Sequence, residues 1–177
     1  MKSPQTLSLD DRRRVAAWAA DCAQHVLALF EREAPGDTRP ADLIARARAF
    51  ADGTLGAADA IRMRFSGGVR ADAAIPDAAA MAARSAGQAA AVCHMGAHGI
   101  GAAAYAVRAV ELSRADDPGA AESEIVWQVA QMPTEVRTVL NRLPAVGEDT
   151  SGPLGPGLLA TGAIGSIVVR VQTALRQ

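Results

Sequence analysis

The sequence has few aromatic residues, few cysteines and no excess of either charge, and each shortage excludes a class of protein. Only six aromatic residues occur among 177, so a platform that stacks single-stranded nucleic acid is not expected. Two cysteines, Cys22 and Cys93, are too few for a disulfide framework, and we expect no export signal before them. Free thiols in a reducing cytoplasm are therefore predicted. The net charge of −1 gives no general attraction to nucleic acid.

Long apolar runs are also lacking. A membrane-spanning helix needs about 20 apolar residues, whereas the best candidate, residues 158–169, contains Thr161 and Ser166 and is followed by Arg170. A membrane partner is therefore not expected. What is abundant is alanine, with 41 residues, against 37 for leucine, isoleucine, valine and phenylalanine together. This composition predicts one soluble domain with a thin core, in which helices approach closely on small side chains.

The spacing of the apolar residues predicts an all-α fold, a compact bundle of about six to seven helices. Ser8 and Asp11 form a capping box at the start of the first helix. Its buried stripe repeats with the 3.6-residue period of a helix, at Val15, Trp18, Ala19, Cys22, Val26, Leu29 and Phe30. A second helix begins near Pro40, and a third is predicted over residues 54–65, with Phe65 inward and a break at Gly67 and Gly68.

Residues 76–114 are rich in alanine and glycine and contain no proline after Pro76. Because alanine is the best helix former, we predict one long or kinked central helix here, with a break near residues 96–101 as the alternative. The next predicted helix buries four apolar side chains and ends before Pro133; these are Ile125, Val126, Val129 and Met132.

The distribution of proline and glycine along the chain predicts the domain organisation. One helical domain is predicted over residues 7–143. Residues 144–157 hold three prolines and four glycines, a linker composition. Residues 158–177 are predicted to form an apolar helix that packs on the bundle or on a second copy of the chain, as in a homodimer.

His94 and His98 are the sharpest chemical feature. On one helix they would share a face, a spacing that can hold a metal ion. A third ligand would have to come from elsewhere, with His25, Asp21 or Cys22 as the available donors, so we favour packing histidines over a metal site and predict no cofactor. The alternative is an enzyme or ligand-binding protein of a biosynthetic pathway, with a pocket in the bundle near His94 and His98. Its catalytic candidates are His94, His98, Asp21, His25 and Tyr105.

Two polar clusters are candidates for binding a partner protein. Asp37 and Arg39 stand at a helix start, where backbone N–H groups converge with side chains. A second group lies in a loop and the following helix start, an accessible place for a contact: Asp116, Asp117, Glu122 and Glu124.

Several short motifs resemble the family of putative immunity proteins of bacterial polymorphic toxin systems. The similarity extends over roughly residues 8–142. It is carried by residues 9–13 (LDDRR), 18–23 (WAADCA), 26–31 (VLALFE), 37–40 (DTRP), 45–50 (ARARAF), 98–106 (HGIGAAAYA), 127–128 (WQ) and 132–133 (MP). Phe50 stands where the family pattern has tryptophan, and residues from 144 onward lie outside the pattern.

The resemblance implies an all-helical cytoplasmic domain that neutralises a cognate toxin by binding it, and it implies no established catalysis. Many nuclease inhibitors present a strongly acidic face to a basic active site, whereas this chain is nearly neutral. The leading hypothesis is therefore an immunity protein that binds a toxin or another protein, and the helical enzyme or ligand-binding protein is the alternative.

Overall fold

A computed structural model describes residues 3–63 and 75–177 of the chain. Within these ranges the structure is helical, with eight α helices and no strand, which confirms the predicted all-α bundle. The helices are α1 (Leu9–Glu31), α2 (Arg39–Asp52), α3 (Ala57–Met63), α4 (Asp77–Ala91), α5 (His98–Ser113), α6 (Ala120–Ala130), α7 (Thr134–Leu140) and α8 (Gly162–Leu175).

The first helix begins and packs as its sequence predicts. The Ser8 hydroxyl accepts a hydrogen bond from the backbone N–H of Asp11 at 3.1 Å, which caps the helix start. The predicted stripe of α1 faces the core, and only Leu29 within it is half-buried. The predicted inward position of Phe65 and the break at Gly67 and Gly68 lie outside the described residues.

The predicted single central helix is two helices, α4 and α5, separated at residues 92–97. Distant residues hold this break. The N–H groups of Gly96 and Ala97 donate to the carbonyl oxygens of Thr6 and Gln5 at 3.2 and 3.1 Å. Arg12 Nη1 donates to the carbonyl oxygen of Cys93, in the turn that follows α4.

Helix α5 is the central element of the bundle. It packs against α4, α1, α6 and α8, and the residues that face these helices are mostly alanine and glycine. Close approach is visible at Gly99, where an added Cβ would overlap the buried side chain of Val15 on α1. The Ser85 hydroxyl also donates to the carbonyl oxygen of Ala102 at 2.8 Å, joining α4 to α5 inside the core.

The C-terminal residues fold back onto the bundle. Helix α8 packs on α5 and α6 and buries Ile167, Val168 and Val171. The segment before it is held by side-chain hydrogen bonds, since Gln172 Nε2 donates to the carbonyl oxygen of Pro144 at 2.9 Å. Leu154 in the same segment is fully buried.

Candidate functional site

An open groove runs along α1 between α2 and α6. It contains two adjoining cavities of about 330 and 430 Å³, which share Asp21 and Arg48. We call it the α1–α2–α6 groove. The first cavity is lined by Asp21, Gln24, His25, Arg48, Trp127 and Gln131, and the second by Ala17, Asp21, Arg48, Ala51 and Asp52. Most of these residues recur at three- or four-residue intervals, so each helix presents one row to the groove.

His25 is held from two sides at the α6 wall of this groove. Its ring stacks on Trp127 with 3.7 Å between ring centroids and 14° between the planes. Its Nδ1 lies 3.2 Å from Oε1 and 3.0 Å from Oε2 of Glu124. With Nδ1 directed at this carboxyl group, Nε2 is the ring nitrogen left for another partner.

Glu124 is a buried carboxylate, and this corrects its predicted place among exposed contact residues. Its side chain is 3% exposed, against 40% for that of His25. Gln128 Nε2 donates a second hydrogen bond to Glu124 Oε1 at 3.0 Å. A buried carboxylate that orients a half-exposed imidazole can assist proton transfer or fix the histidine for recognition of a ligand.

The buried face of α6 explains why the sequence did not place Glu124 correctly. The face consists of residues 120, 121, 124, 125 and 128, two of which are polar. Apolar periodicity favours Val126 instead, which was predicted inward but is 59% exposed. The spacing of Ala121, Ile125 and Gln128 was the available signal, since these positions share one helix face with Glu124.

Asp21 and Arg48 join the two sides of the groove. Arg48 Nη2 lies 3.0 Å from Asp21 Oδ1, and both side chains are 49% exposed. Next to Asp21, Cys22 is fully buried in the core. Burial raises the pKa of the Cys22 thiol well above its usual value, and the nearby carboxylates of Glu124 and Asp21 raise it further. Cys22 is therefore held as a neutral thiol.

His94 and His98 do not share a helix face, contrary to the prediction, because His94 lies in the turn that precedes α5. The side chain of His94 is exposed, whereas that of His98 is largely enclosed. His98 Nδ1 donates to Gln88 Oε1 at 2.8 Å. Burial lowers the pKa of His98 to about 4, with a smaller contribution from His94, so its ring is neutral at pH 7.

The remaining candidates for catalysis are divided between two regions. Asp21 and His25 line the α1–α2–α6 groove, whereas Tyr105 lines a different cavity, of about 310 Å³, beside Leu43 and Gln88. His98 reaches that cavity only through its hydrogen bond to Gln88. Among the residues that the structure describes, no three His, Cys, Asp or Glu side chains form a group that could hold a metal ion.

The polar residues predicted to bind a partner lie near one end of the bundle. Contacts between Asp21 and Arg48 and between Arg13 and Gly53 show that α1 and α2 are antiparallel. Helices α1 and α6 are antiparallel as well. Trp18 contacts Gln128, whereas His25, which lies later in α1, contacts Glu124, which lies earlier in α6. The loops at 32–38 and 114–119 therefore lie at the same end.

Several of these charges are already paired. Arg39 donates to both carboxylate oxygens of Asp37, and this interaction lowers the pKa of Asp37. Glu122 pairs with Arg170 of α8 at 3.0 Å. Asp117 accepts a hydrogen bond from the N–H of Gly119 at 2.9 Å, and Asp116 beside it is exposed.

The fold and the groove together define a small helical protein with an open groove that is lined mainly by polar side chains. The model of the Imm-5 like putative immunity protein family matches residues 5–135, so this chain belongs to that family. The match begins just before α1 and ends in α7, and it includes all six residues that line the cavity at His25. No curated protein and no solved structure matches the chain. In residues 3–63 and 75–177, no helix is both long and apolar enough to cross a bilayer.

Proposed function

We propose that this protein is an immunity protein that neutralises a cognate toxin by binding it. The observation that carries the proposal is membership of the immunity protein family over most of the chain. The groove supports the same function, since it offers a half-buried tryptophan and an exposed arginine, residue types that dominate the binding energy of protein interfaces. The location in which this binding would take place is the bacterial cytoplasm.

The exposed charged residues at the loop end of the bundle are proposed to contribute to the contact. They are Arg39, Asp116, Asp117 and Glu122, together with the half-buried Asp37; Glu124 is excluded because it is buried. Exposed charges at the rim of an interface mainly increase the association rate and its dependence on salt. We therefore expect Asp116→Lys with Asp117→Lys to slow association while leaving the dissociation rate nearly unchanged.

Co-expression with the toxin encoded beside this chain tests the proposal. We expect a complex that survives size-exclusion chromatography and growth of cells that the toxin alone would stop. A toxin from an unrelated system is the control for specificity. Continued growth arrest with no complex, at equal expression of both proteins, would show that the chain is not the immunity protein for that toxin.

A further inference from the structure

Another cavity lies apart from the α1–α2–α6 groove, between α2, α4, α5 and the segment before α8. Its volume of about 310 Å³ is near the lower end of the range for small-molecule sites. We call it the α4–α5 cavity. Its lining is partly apolar, from Leu43, Ala83 and Leu158, and partly polar, from Arg84, Gln88 and Tyr105. Such a lining suits a ligand with one polar and one apolar part.

Gly87 lies in the middle of α4 and also lines the cavity. Glycine inside a helix is less stable than alanine, so its presence there needs a reason. Close packing is the reason at Gly99 of α5, where an added Cβ would overlap Val15. At Gly87, by contrast, no atom of the described residues lies within 4 Å of an added Cβ. The missing side chain leaves room in the cavity instead.

Arg84 brings a positive charge to the cavity. Its guanidinium carbon lies 5.9 Å from the centre of the Tyr105 ring, within the range of a cation–π contact. In residues 3–63 and 75–177, no carboxylate pairs with Arg84 and none lines the cavity. The guanidinium therefore keeps its hydrogen-bond donors for a ligand.

The acidic side chains of the three lining helices do not offset this charge. Glu111 of α5 pairs with Arg108. Asp42 and Asp52 of α2 are exposed, and Asp52 lines the α1–α2–α6 groove. Asp77 begins α4, about 10 Å along the helix axis from the arginine of the cavity. None of these four carboxylates lines the α4–α5 cavity, so its described lining carries a net positive charge.

Tyr105 and Gln88 add hydrogen-bond donors to the cavity. Tyr105 is 4% exposed, and its hydroxyl has no hydrogen-bond partner among the described residues. This hydroxyl is not one of the polar atoms that are sealed in the core, so it opens to the cavity that Tyr105 lines. With Gln88 Oε1 bonded to His98 Nδ1 at 2.8 Å, Gln88 Nε2 is the amide atom left for a ligand. The cavity thus offers three donor groups: a guanidinium, a phenol and an amide.

This set of donors suits a carboxylate. An arginine binds a carboxylate through two parallel N–H···O bonds, and a phenol and an amide can donate to the same oxygens. A phosphate monoester carries nearly two charges and is commonly bound at a helix N-terminus or by several cations. Arg84 and Tyr105 instead lie inside their helices and supply one charge. Leu158 is 79% exposed at the cavity, and the apolar part of a ligand would cover it.

We propose that the α4–α5 cavity binds a small monocarboxylic acid with an apolar body. Arg84 holds its carboxylate, with hydrogen bonds from Tyr105 and Gln88. Its apolar part occupies the space beside Gly87 and Leu158. The inference goes beyond the proposed function and does not depend on it. Leu158 also lies outside residues 5–135, so the family match does not define this cavity.

Titration of the isotope-labelled full chain, followed by NMR, tests the class of ligand. The probes are hexanoate, octanoate and phenylacetate, with hexanamide and phenylacetamide as neutral controls of the same shape. We expect saturable shifts of the backbone amides of residues 83–88 and of Tyr105 with the acids. Binding of the neutral amides is expected to be at least about tenfold weaker, because they carry no charge to pair with Arg84.

Inorganic phosphate is the control for anions in general, and it is expected to give no saturable shift. Three results would contradict the inference: no saturable binding by any of the acids, equal binding of acids and amides, or tighter binding of phosphate than of the acids.

Variants of the lining test the position. Arg84→Gln is expected to weaken acid binding by about tenfold or more, and Tyr105→Phe by about threefold, since it removes one neutral donor. Gly87→Leu fills the cavity and is expected to abolish binding, although leucine is well accommodated in a helix. The matched control Arg176→Gln removes an exposed charge after α8 and is expected to bind within about twofold of the wild type.

Circular dichroism shows whether each variant folds. Arg84 is exposed and makes no ion pair with the described residues, so we expect Arg84→Gln to fold even if Gly87→Leu does not. Unchanged acid binding by a folded Arg84→Gln would contradict the inference. Toxin binding by Arg84→Gln is expected to match that of the wild type. If this variant instead loses the toxin while the wild type binds none of the acids, Arg84 belongs to the toxin contact and the inference is overturned.

Discussion

Trp18 connects the buried stripe of α1 to α6. Its side chain is 2% exposed, and its Nε1–H donates to the backbone carbonyl of Gln128 at 3.0 Å. A buried indole therefore contributes both apolar contact and a satisfied donor at the level of the groove.

We expect Trp18→Ala to lower the free energy of unfolding by about 3–5 kcal/mol, because the substitution leaves a large cavity in a thin core. Trp18→Phe keeps most of the apolar contact and loses the hydrogen bond, so a smaller loss of roughly 1–2 kcal/mol is expected. Urea unfolding followed by circular dichroism measures both. Equal stability of Trp18→Ala and the wild type would mean that this face of α1 is not packed as described.

His98 makes stability depend on pH in the acidic range. Its pKa is about 4 in the folded chain and about 6.5 when the ring is exposed on unfolding. The unfolded state therefore takes up a proton first as the pH falls. The stabilising effect is fully present above about pH 6.5, decreases between pH 6.5 and pH 4, and changes no further below that, with a total on the order of 3 kcal/mol.

Unfolding free energies measured at pH 7.5, 5.5 and 4.5 test this dependence. His98→Asn keeps an N–H that can reach Gln88 but does not titrate, so we expect a flatter profile than that of the wild type. Carboxylates contribute to the slope in both proteins, and the difference between the two profiles isolates His98. Parallel profiles would refute the assignment.

Within α4 and α5, glycine has two different environments. Gly87 of α4 has open space where a Cβ would be added. A Cβ on Gly99 of α5 would overlap Val15 Cγ1, a fully buried and β-branched side chain that has little room to move. Close approach of α5 to α1 therefore depends on Gly99 and not on Gly87.

Gly87→Ala is expected to raise the free energy of unfolding by up to about 1 kcal/mol, since alanine favours the helix. Gly99→Ala is expected to lower the free energy of unfolding by about 1–3 kcal/mol through overpacking, although the gain in helix propensity from glycine to alanine is the same at both positions. Thermal melts of the two variants give the comparison. A gain of stability from both would show that α1 and α5 are farther apart than the structure places them.

The division between α4 and α5 shows what local sequence can and cannot predict. The stripe of α1 was predictable because it depends on residues within one helix. The break at residues 92–97 depends on Gln5, Thr6 and Arg12, which are more than 80 residues away. An added Cβ on Gly96 would overlap the side chain of Leu7, so the N-terminal segment also packs against the break. No pattern within residues 76–114 records these contacts.

The candidate site was predictable only in part, for the same reason. His25 and Asp21 were identified as candidates, but their partners Glu124 and Arg48 come from other helices. The stacking of His25 on Trp127 joins residues about 100 positions apart, which periodicity does not reveal. The sequence analysis places Tyr105 in the same pocket as Asp21 and His25, whereas the structure has two separate cavities. The sequence does not show which helix faces meet.

At the scale of the whole molecule, the C-terminal helix belongs to the packed body. Val168 of α8 is fully buried, whereas the adjacent Val169 is 52% exposed. The two residues have the same side chain and lie in the same helix, so they form a matched pair for testing which face of α8 contacts the bundle.

We expect Val168→Asp to destabilise the protein by more than about 3 kcal/mol, because it places an unpaired charge against α5 and α6. Val169→Asp is expected to stay within about 1 kcal/mol of the wild type. Urea unfolding distinguishes them, and analytical ultracentrifugation shows whether Val169 lies between two copies of the chain. Similar effects of both changes on the monomer would contradict the orientation of α8.

Gln5 sets a condition on when the chain can finish folding during synthesis. Its fully buried side chain donates to Asp149 and to the carbonyl oxygen of Ser151, and it accepts from the N–H of Leu154 at 2.9 Å. Gln5 is synthesised before all three of these partners. A ribosome-bound chain that has reached only α7 therefore lacks the groups that bind the Gln5 amide, and this contact forms only after residues 149–154 have been made.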